Sequence, residues 1–372
     1  MTLQKKIAFY AIMLSIPLLA VILSFSAYLG FKKLTFSYGY CGSYGQFDDE
    51  LGWRLKPDAS SCFSLKNQLA GVVYFDTKIF TNSGGFRDGA VGRPVPANAV
   101  MTIGDSWVFG YGVDHEQSFP SSLSQALGAP VINAGIPAYG SGSNLLLAAR
   151  NAAQYRPSVV IYHTRGMHTR SLCSQAEAEA TLVPCFTFDP KDNRVALIKP
   201  RPGAVAQAVS HNVYPGGSLT AGYDSLIRFM LFVRIPEVTR EIMHRVLAPF
   251  GLGGRAEPAF DDKHIGAVLE FELREYRRLS EQHGFAFVLV DPVGTYGSAF
   301  AAVFGDRPPG AVYLGPADWQ RGVSSKVRSL SESEAWVPVD GHYGPGQNRI
   351  VGEFLAGVLR ERLPERVRAR SN

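Results

Sequence analysis

Apolar runs alternate with amphipathic segments from Ala99 to the end of the chain. Four short, continuously apolar runs bounded by turn residues predict strands buried on both faces, at 99–104, 130–135, 158–163 and 285–292. Apolar positions at helical spacing predict helices at 118–128, 141–156, 265–284 and 346–363. Strands and helices that alternate in this way predict a parallel sheet covered on both faces.

The predicted fold class is therefore α/β, with three layers and a mostly parallel sheet, over residues 99–368. Residues 34–98 are rich in Gly, Pro, Asn, Asp and Ser, which favours a loop-rich lead-in with a few strands that packs on this domain. The alternation lapses at about 169–260. An insertion of this length is too long for an ordinary loop and is expected to have structure of its own.

One stretch of the insertion, residues 223–247, is apolar but contains Arg228, Arg234 and Pro236. These residues argue against a membrane span. Packing in the core is the default interpretation of such a stripe, and a lid, a substrate cap or a helix on a membrane surface are alternatives.

The N-terminal stretch 7–31 has no charged residue and is flanked by Lys5-Lys6 and Lys32-Lys33. It exceeds the roughly 20 apolar residues that cross a bilayer, so residues 1–33 are predicted to be a transmembrane anchor. A cleaved signal peptide ending near Ser26 is the alternative, although the apolar region is long for one.

Charge and cysteine content narrow the setting of the protein. The net charge is +5, and its basic residues are spread along the chain, which argues against nucleic-acid binding. The four cysteines, Cys41, Cys62, Cys173 and Cys185, lack the spacing of a zinc or redox motif. Two disulfides in an oxidising compartment fit best, with free buried thiols as the alternative, and the sequence does not fix the pairing.

Four predicted loops carry chemistry at the ends of regular elements. Ser106 follows the first strand, Gly135 ends the second, Arg165 and His168 follow the third, and Asp340 and His342 precede the last helix. Because the carboxyl ends of parallel strands share one edge, the first three groups are expected to converge there. A serine, a histidine and a carboxylate are what acyl transfer requires. Neither a metal site nor a cofactor is predicted, since no residues lie at ligand spacing.

The strings "GDSW", "NAGIPAYG" and "DGHYGPG" resemble blocks of the SGNH (GDSL-like) hydrolase superfamily, over roughly residues 47–168 and 337–360. The upstream strings "DDELGWRLKPD" and "NSGGFRDG" are similar to the lead-in of its membrane-anchored bacterial members. The resemblance implies Ser106 as nucleophile, His342 as general base and Asp340 as its orienting group. It also implies an oxyanion hole formed by the N–H groups of Ser106 and Gly135.

Two features depart from the pattern of that superfamily. Its third block usually supplies an Asn as third oxyanion donor, whereas the aligned string "RGMHT" places His168 there. A neutral imidazole N–H can donate to an oxyanion, and the alternative is that this donor is lost. The last block is commonly Asp-x-x-His, whereas a single Gly341 separates Asp340 from His342. Arg165 and Asp105 are the candidate substrate-binding residues.

These features together predict an extracytoplasmic serine esterase or O-acyltransferase that acts on acylated, especially O-acetylated, envelope polysaccharide or glycan. The expected location is the bacterial inner membrane, with residues 7–31 as a single span and the catalytic domain in the periplasm. A partner complex of envelope biosynthesis is part of this expectation. An inactive SGNH-like domain that binds glycan or acts as a scaffold is the second hypothesis. A lipase-like enzyme that uses the apolar insertion on membrane lipid is the third.

Overall fold

A computed structural model describes residues 36–165, 262–305 and 308–367, together with 171–173, 181, 183–189, 192 and 194–201. The strands are β1 (Phe36–Tyr40), β2 (Gly45–Asp48), β3 (Gly52–Leu55), β4 (Ser60–Asn67), β5 (Val72–Thr81), β6 (Arg87–Asp88), β7 (Val100–Gly104), β8 (Val131–Gly135), β9 (Val159–His163), β10 (Cys185–Asp189), β11 (Arg194–Ile198), β12 (Ala286–Val290) and β13 (Ala311–Leu314). The helices are α1 (Ser106–Phe109), α2 (Phe119–Leu127), α3 (Ser141–Tyr155), α4 (Asp262–His283), α5 (Gly297–Phe304), α6 (Pro316–Trp319), α7 (Ser325–Val327), α8 (Glu332–Ala335), α9 (Pro345–Arg362) and α10 (Pro364–Val367).

The central sheet of the described chain has nine strands in the order β1-β4-β5-β6-β8-β7-β9-β12-β13. The five strands from β8 to β13 are parallel, and the four predicted strands correspond to β7, β8, β9 and β12. The fifth parallel strand, β13, was not predicted. The chain runs from β7 to β8 on one side and then crosses to β9 on the other side of β7, which creates a switch point between β7 and β9.

Each face of the parallel strands packs against helices. On one face, Val159 and Ile161 of β9 join a cluster with α2, α6 and α9. On the other face, Val160 and Tyr162 join a cluster with α3, α4 and α5. Because alternate residues of one strand are buried on opposite faces, these strands need apolar residues throughout, as the sequence pattern indicated.

The lead-in 36–98 extends the sheet. Strands β1, β4, β5 and β6 are antiparallel to their neighbours and continue the parallel strands through a single pairing, Arg87 with Asn133. Strands β2 and β3 form a separate hairpin, and Asp48 and Glu50 of this hairpin make ion pairs with Arg150 of α3.

The four cysteines form two disulfides, Cys41–Cys62 and Cys173–Cys185. The first connects the β1 end to β4, and the second holds the β10–β11 hairpin of the predicted insertion. This hairpin contacts the helical layer, where Phe186 packs against Phe271 of α4 at a ring-centroid distance of 6.0 Å. Residues 223–247 lie outside the described residues.

No helix among the described residues is long and apolar enough to cross a membrane. The predicted anchor at 7–31 lies outside those residues. It therefore stays a prediction.

Candidate active site

Ser106 lies at the start of α1, two residues beyond the end of β7. Asp105 caps this short helix, because its carboxylate accepts a hydrogen bond from the Trp107 N–H at 3.0 Å. Gly110 ends the helix in the left-handed conformation, with φ of 82°, and its N–H donates to the Ser106 carbonyl. The nucleophile candidate is therefore held in a single capped turn at the carboxyl edge of the sheet.

Two glycines allow this turn to sit against the sheet. A Cβ on Gly104 would lie 2.4 Å from Val108 Cγ2, and a Cβ on Gly135 would lie 2.3 Å from the Phe109 nitrogen. Both distances are far below normal contact, so the turn requires glycine at the ends of β7 and β8. The glycines of these two motifs thus have a packing role that the sequence analysis did not assign.

His342 and Asp340 lie in a tight turn before α9. The Asp340 and Gly341 N–H groups both bond to the Val337 carbonyl, and the Val337 N–H bonds to the His342 carbonyl. Gly341 has φ of +80°, which suits a residue without a Cβ. The turn brings the Asp340 carboxylate into contact with His342 Nδ1 despite the shortened spacing.

The other ring nitrogen of His342 lies on Ser106. The distance from Ser106 Oγ to His342 Nε2 is 2.7 Å, although the two residues are far apart in the chain. With Asp340 accepting from the Nδ1–H, Nε2 is left as an acceptor for the serine hydroxyl proton. The geometry of a nucleophile, a base and an orienting carboxylate is therefore present, while its use in catalysis stays a prediction.

Two aromatic rings pack against the His342 imidazole. The ring centroids of Trp107 and Tyr111 lie 4.8 Å and 4.6 Å from that of His342. Trp107 belongs to α1, and Tyr111 follows Gly110, the left-handed residue that ends this helix. Tyr111 packs in turn against Phe63 of β4 and Phe75 of β5, at 5.0 Å and 5.7 Å. The lead-in strands thereby support the candidate base.

A buried arginine from the lead-in holds the segment after α1. Arg87 is 2% exposed, and its guanidinium donates to the carbonyls of Phe109, Gly110 and Val113 at 2.5 to 2.7 Å. Burial lowers the pKa of this guanidinium to about 10. The string "GFRDG" contained the residue, but nothing local in the sequence indicated that it binds carbonyls near the nucleophile.

Arg165 lies at the site, whereas His168 lies outside the described residues. The Arg165 guanidinium carbon lies over the Trp107 ring, 3.8 Å from its centroid. Asp105 has the capping role given above. Substrate binding by Arg165 and Asp105, and oxyanion donation by His168, stay predictions.

The N–H of Gly135 is already hydrogen-bonded within the protein. It donates to Asn133 Oδ1 at 3.1 Å, so donation to an oxyanion would require this bond to open. The Ser106 N–H, at the first position of α1, has no hydrogen-bond acceptor among the described residues. Of the two backbone donors that were predicted, the structure therefore leaves only that of Ser106 ready to bind an anion.

His163, which the sequence analysis interpreted as a core residue, is 1% exposed. Its ring packs against Phe119, Trp319 and Tyr343, and its Nε2 lies 3.4 Å from the Tyr343 hydroxyl. Burial is the main cause that lowers the pKa of His163 to about 4, with Arg165 acting in the same direction. This histidine is therefore neutral at ordinary pH, and it packs against Tyr343.

No protein-family model matches the chain, and no curated protein matches it. Among solved structures, it is similar to one described as a lipolytic protein of the G-D-S-L family from Desulfitobacterium hafniense DCB-2. The two are 13% identical, with a TM-score of 0.34, and the match covers 70% of this chain and 99% of that chain. A likeness this weak carries no argument about activity, so function is inferred below from the geometry of Ser106, His342 and Asp340.

Proposed function

We propose that the protein is a serine esterase or O-acyltransferase. The observation that carries the proposal is the chain of contacts from Ser106 Oγ to His342 Nε2, at 2.7 Å, and from His342 Nδ1 to Asp340. The three residues come from two loops that are separated by most of the domain. A structural role for any one of them would not require this order of contacts.

The reaction follows from these atoms. Ser106 Oγ attacks the carbonyl carbon of an ester while its proton passes to His342 Nε2, and Asp340 stabilises the resulting imidazolium. The imidazolium then protonates the leaving alcohol oxygen as its bond to carbon breaks, which leaves an acyl-Ser106 intermediate. Water or an acceptor hydroxyl then attacks the acyl carbon while its proton passes to His342 Nε2. His342 gives this proton to Ser106 Oγ as the bond between Oγ and the acyl carbon breaks, which restores the free serine. The choice between these two nucleophiles decides between hydrolysis and transfer.

Stabilisation of the oxyanion starts with the Ser106 N–H, which has no hydrogen-bond acceptor in the part of the chain that the structure describes. The Gly135 N–H would join it only by leaving Asn133, and His168 is the third proposed donor. Loss of one donor of this kind typically costs about 10²–10³ in rate. The enzyme is therefore expected to be slow unless substrate binding rearranges the loop after β8.

The substrate we propose is an acylated, especially O-acetylated, glycan of the cell envelope, with the catalytic domain in the periplasm. The two disulfides support an oxidising compartment. The Arg165 guanidinium, which lies over the Trp107 ring, can donate hydrogen bonds to polar or anionic substituents of a sugar. Partners in envelope biosynthesis belong to the same proposal.

A catalytically quiet glycan-binding or scaffold domain is the second candidate function. The occupied Gly135 N–H favours it, because a domain without catalysis has no need of a free oxyanion donor. The two candidates differ in whether Ser106 reacts with an electrophile.

A fluorophosphonate probe on the purified full-length protein tests the proposal. The wild type is expected to be labelled, Ser106→Ala to be unlabelled, and Ser121→Ala, which changes a serine of α2, to be labelled like the wild type. Folded wild type that stays unlabelled would support the quiet domain instead. A chromogenic acetate ester, assayed with and without an oligosaccharide acceptor, then separates hydrolysis from transfer.

A further inference from the structure

The hairpin that joins β4 to β5 carries an exposed apolar tip. Leu69 is 63% exposed, Val72 46% and Val73 53%. Seven large apolar side chains are exposed among the described residues, and these are three of them. Residues 66–73 form the tip of this hairpin, in which Lys66 pairs with Val73 and Asn67 with Val72. Apolar side chains gathered on an outer surface in this way are typical of a contact with another surface.

The tip lies where the chain enters the described fold. Phe36, the first residue of β1, pairs with Asn67 at the end of β4. Paired strands are about 4.8 Å apart, so the entering chain runs directly beside the tip. The apolar stretch 7–31 ends five residues before Phe36, and five residues of extended chain span at most about 18 Å. If that stretch is anchored in a bilayer, the tip is held close to the bilayer surface.

The charge of the tip suits an anionic lipid surface. Between Ser60 and Phe75 the sequence has one lysine, Lys66, and no aspartate or glutamate. Lys66 is exposed beside the apolar side chains, and Lys32 and Lys33 stand at the end of the apolar stretch. Basic residues beside inserted apolar side chains are the pattern with which proteins bind anionic headgroups.

The same hairpin reaches the candidate active site. Phe75 lies three residues from Val72, which is about 10 Å along a strand. Its ring is 5.7 Å from that of Tyr111, and the Tyr111 ring is 4.6 Å from that of His342. A tip on the bilayer would therefore place Ser106 and His342 within a few tens of ångströms of the lipid headgroups.

We infer that residues 66–73 are a second membrane contact, which inserts Leu69, Val72 and Val73 among the headgroups of an anionic bilayer and presents the active site toward that surface. The inference rests on the proposed anchor at 7–31. Its consequence for substrate is that acyl groups or acceptors carried on membrane-attached molecules reach Ser106 directly.

Site-directed fluorescence on the full-length protein in phosphatidylethanolamine–phosphatidylglycerol vesicles tests the contact. All four native cysteines are in disulfides, so an introduced cysteine is the only free thiol. An environment-sensitive nitrobenzoxadiazole label would be placed on Leu69→Cys and on Val72→Cys. Blue-shifted emission and quenching by spin-labelled lipid are expected at both positions.

The matched control is Val91→Cys, because Val91 is 43% exposed, close to the 46% of Val72. It adjoins Gly92, which approaches Asp58 near the start of β4, about 25 Å of strand away from the tip. Its label is expected to keep the emission of an aqueous environment. Quenching at Val91 equal to that at Val72 would mean nonspecific adsorption and would overturn the inference.

A label on Leu19→Cys separates failure of the anchor from failure of the tip. Quenching at Leu19 without quenching at Leu69 and Val72 would leave the anchor standing and overturn the tip contact. No quenching at any position would overturn both, whatever the outcome of fluorophosphonate labelling at Ser106. Self-quenching of the Leu69 label in detergent, with no response to lipid, would assign the tip to contacts between copies of the chain and equally overturn the inference.

Discussion

At the scale of single residues, the environment of His342 distinguishes this site from a bare triad. Trp107 and Tyr111 flank the imidazole, and Arg165 stacks on the Trp107 ring. These contacts restrict the imidazole to the orientation in which Nε2 faces the serine.

Replacing either ring by an aliphatic side chain should therefore impair turnover more than substrate binding. We expect Tyr111→Leu to lower kcat for a small ester by about 10- to 100-fold, since small displacements of a catalytic group have effects of that size. Tyr111→Phe keeps the ring and should stay within a few-fold of the wild type. Steady-state kinetics over a range of pH measure both effects, and an unchanged kcat in Tyr111→Leu would contradict the positioning role.

Arg87 acts on the same segment through the backbone. Its buried guanidinium donates hydrogen bonds to three backbone carbonyls. We expect Arg87→Met to lower the free energy of unfolding by roughly 3 kcal/mol, because the carbonyls lose their donors while buried. Denaturant unfolding measures the change. Arg87→Lys keeps a charge without the forked donors, so its free energy of unfolding should lie between those of the wild type and Arg87→Met. A loss below about 1 kcal/mol in Arg87→Met would show that the carbonyls find other partners.

At the scale of elements, a buried polar cluster joins α3, α4, α5 and the sheet. The Glu272 carboxylate of α4 accepts a hydrogen bond from the Tyr296 hydroxyl at 2.9 Å, and Tyr296 also lies 3.3 Å from Ser141 Oγ at the start of α3. Burial raises the pKa of Glu272 to about 8. The carboxyl group is therefore protonated in the folded protein at neutral pH, where an unfolded chain would ionise it.

This difference makes stability depend on pH. Below about pH 4.5 Glu272 is protonated in both states, and between 4.5 and 8 only the unfolded state loses the proton. The free energy of unfolding should fall as the pH rises through this window, by at most about 1.4 kcal/mol per pH unit from this residue. Glu272→Gln should remove that part, so unfolding curves of the two proteins at pH 5, 6.5 and 8 should converge or cross with rising pH. A constant gap between them would contradict the buried neutral carboxyl.

The elements also show which features the sequence could predict. Strands β7, β8, β9 and β12 are buried on both faces, and their continuous apolar runs reveal them locally. Strand β13 has four residues after a Pro-Gly turn, too few for a pattern. Strand β5 alternates buried and exposed residues within a lead-in for which a few strands were predicted without positions. The lead-in joins the parallel strands through the single pairing of Arg87 with Asn133, which no local pattern indicates.

The candidate site divides in the same way. Ser106, Asp340 and His342 could be selected as candidate site residues from the sequence, because each lies in a short motif beside a regular element. The ring contacts of Trp107 and Tyr111 could not, because their partner lies in a distant loop and an aromatic side chain next to a turn is usually read as core. The bond from Gly135 N–H to Asn133 depends on the local rotamer of a side chain within the same motif.

At the scale of the whole molecule, the lead-in and the parallel sheet form one continuous structure, and the Cys41–Cys62 disulfide secures its outermost strand. Strand β1 has a partner on one side only, among the described residues. It is also the strand that directly follows the proposed anchor in the chain. The disulfide fixes this strand to β4 and hence to the hairpin that we propose lies on the membrane.

Removing this disulfide should weaken the fold without disabling the site. We expect Cys41→Ser with Cys62→Ser to lower the free energy of unfolding by about 2–4 kcal/mol, while the rate of fluorophosphonate labelling of folded protein stays the same. The paired variant Cys173→Ser with Cys185→Ser is the control that loosens the β10–β11 hairpin instead. A labelling rate that fell with the first variant would show that β1 contributes to the geometry at Ser106.

The pairing of β9 with β12 has a consequence for how this fold can vary. The two strands are neighbours in the sheet, yet more than a hundred residues of chain separate them. The entropic cost of closing such a loop grows only with the logarithm of its length, so doubling or halving the insertion changes it by only about 0.6 kcal/mol. The insertion can therefore be lengthened, shortened or exchanged at little thermodynamic cost, and specificity can diverge there while Ser106, Asp340 and His342 stay in place.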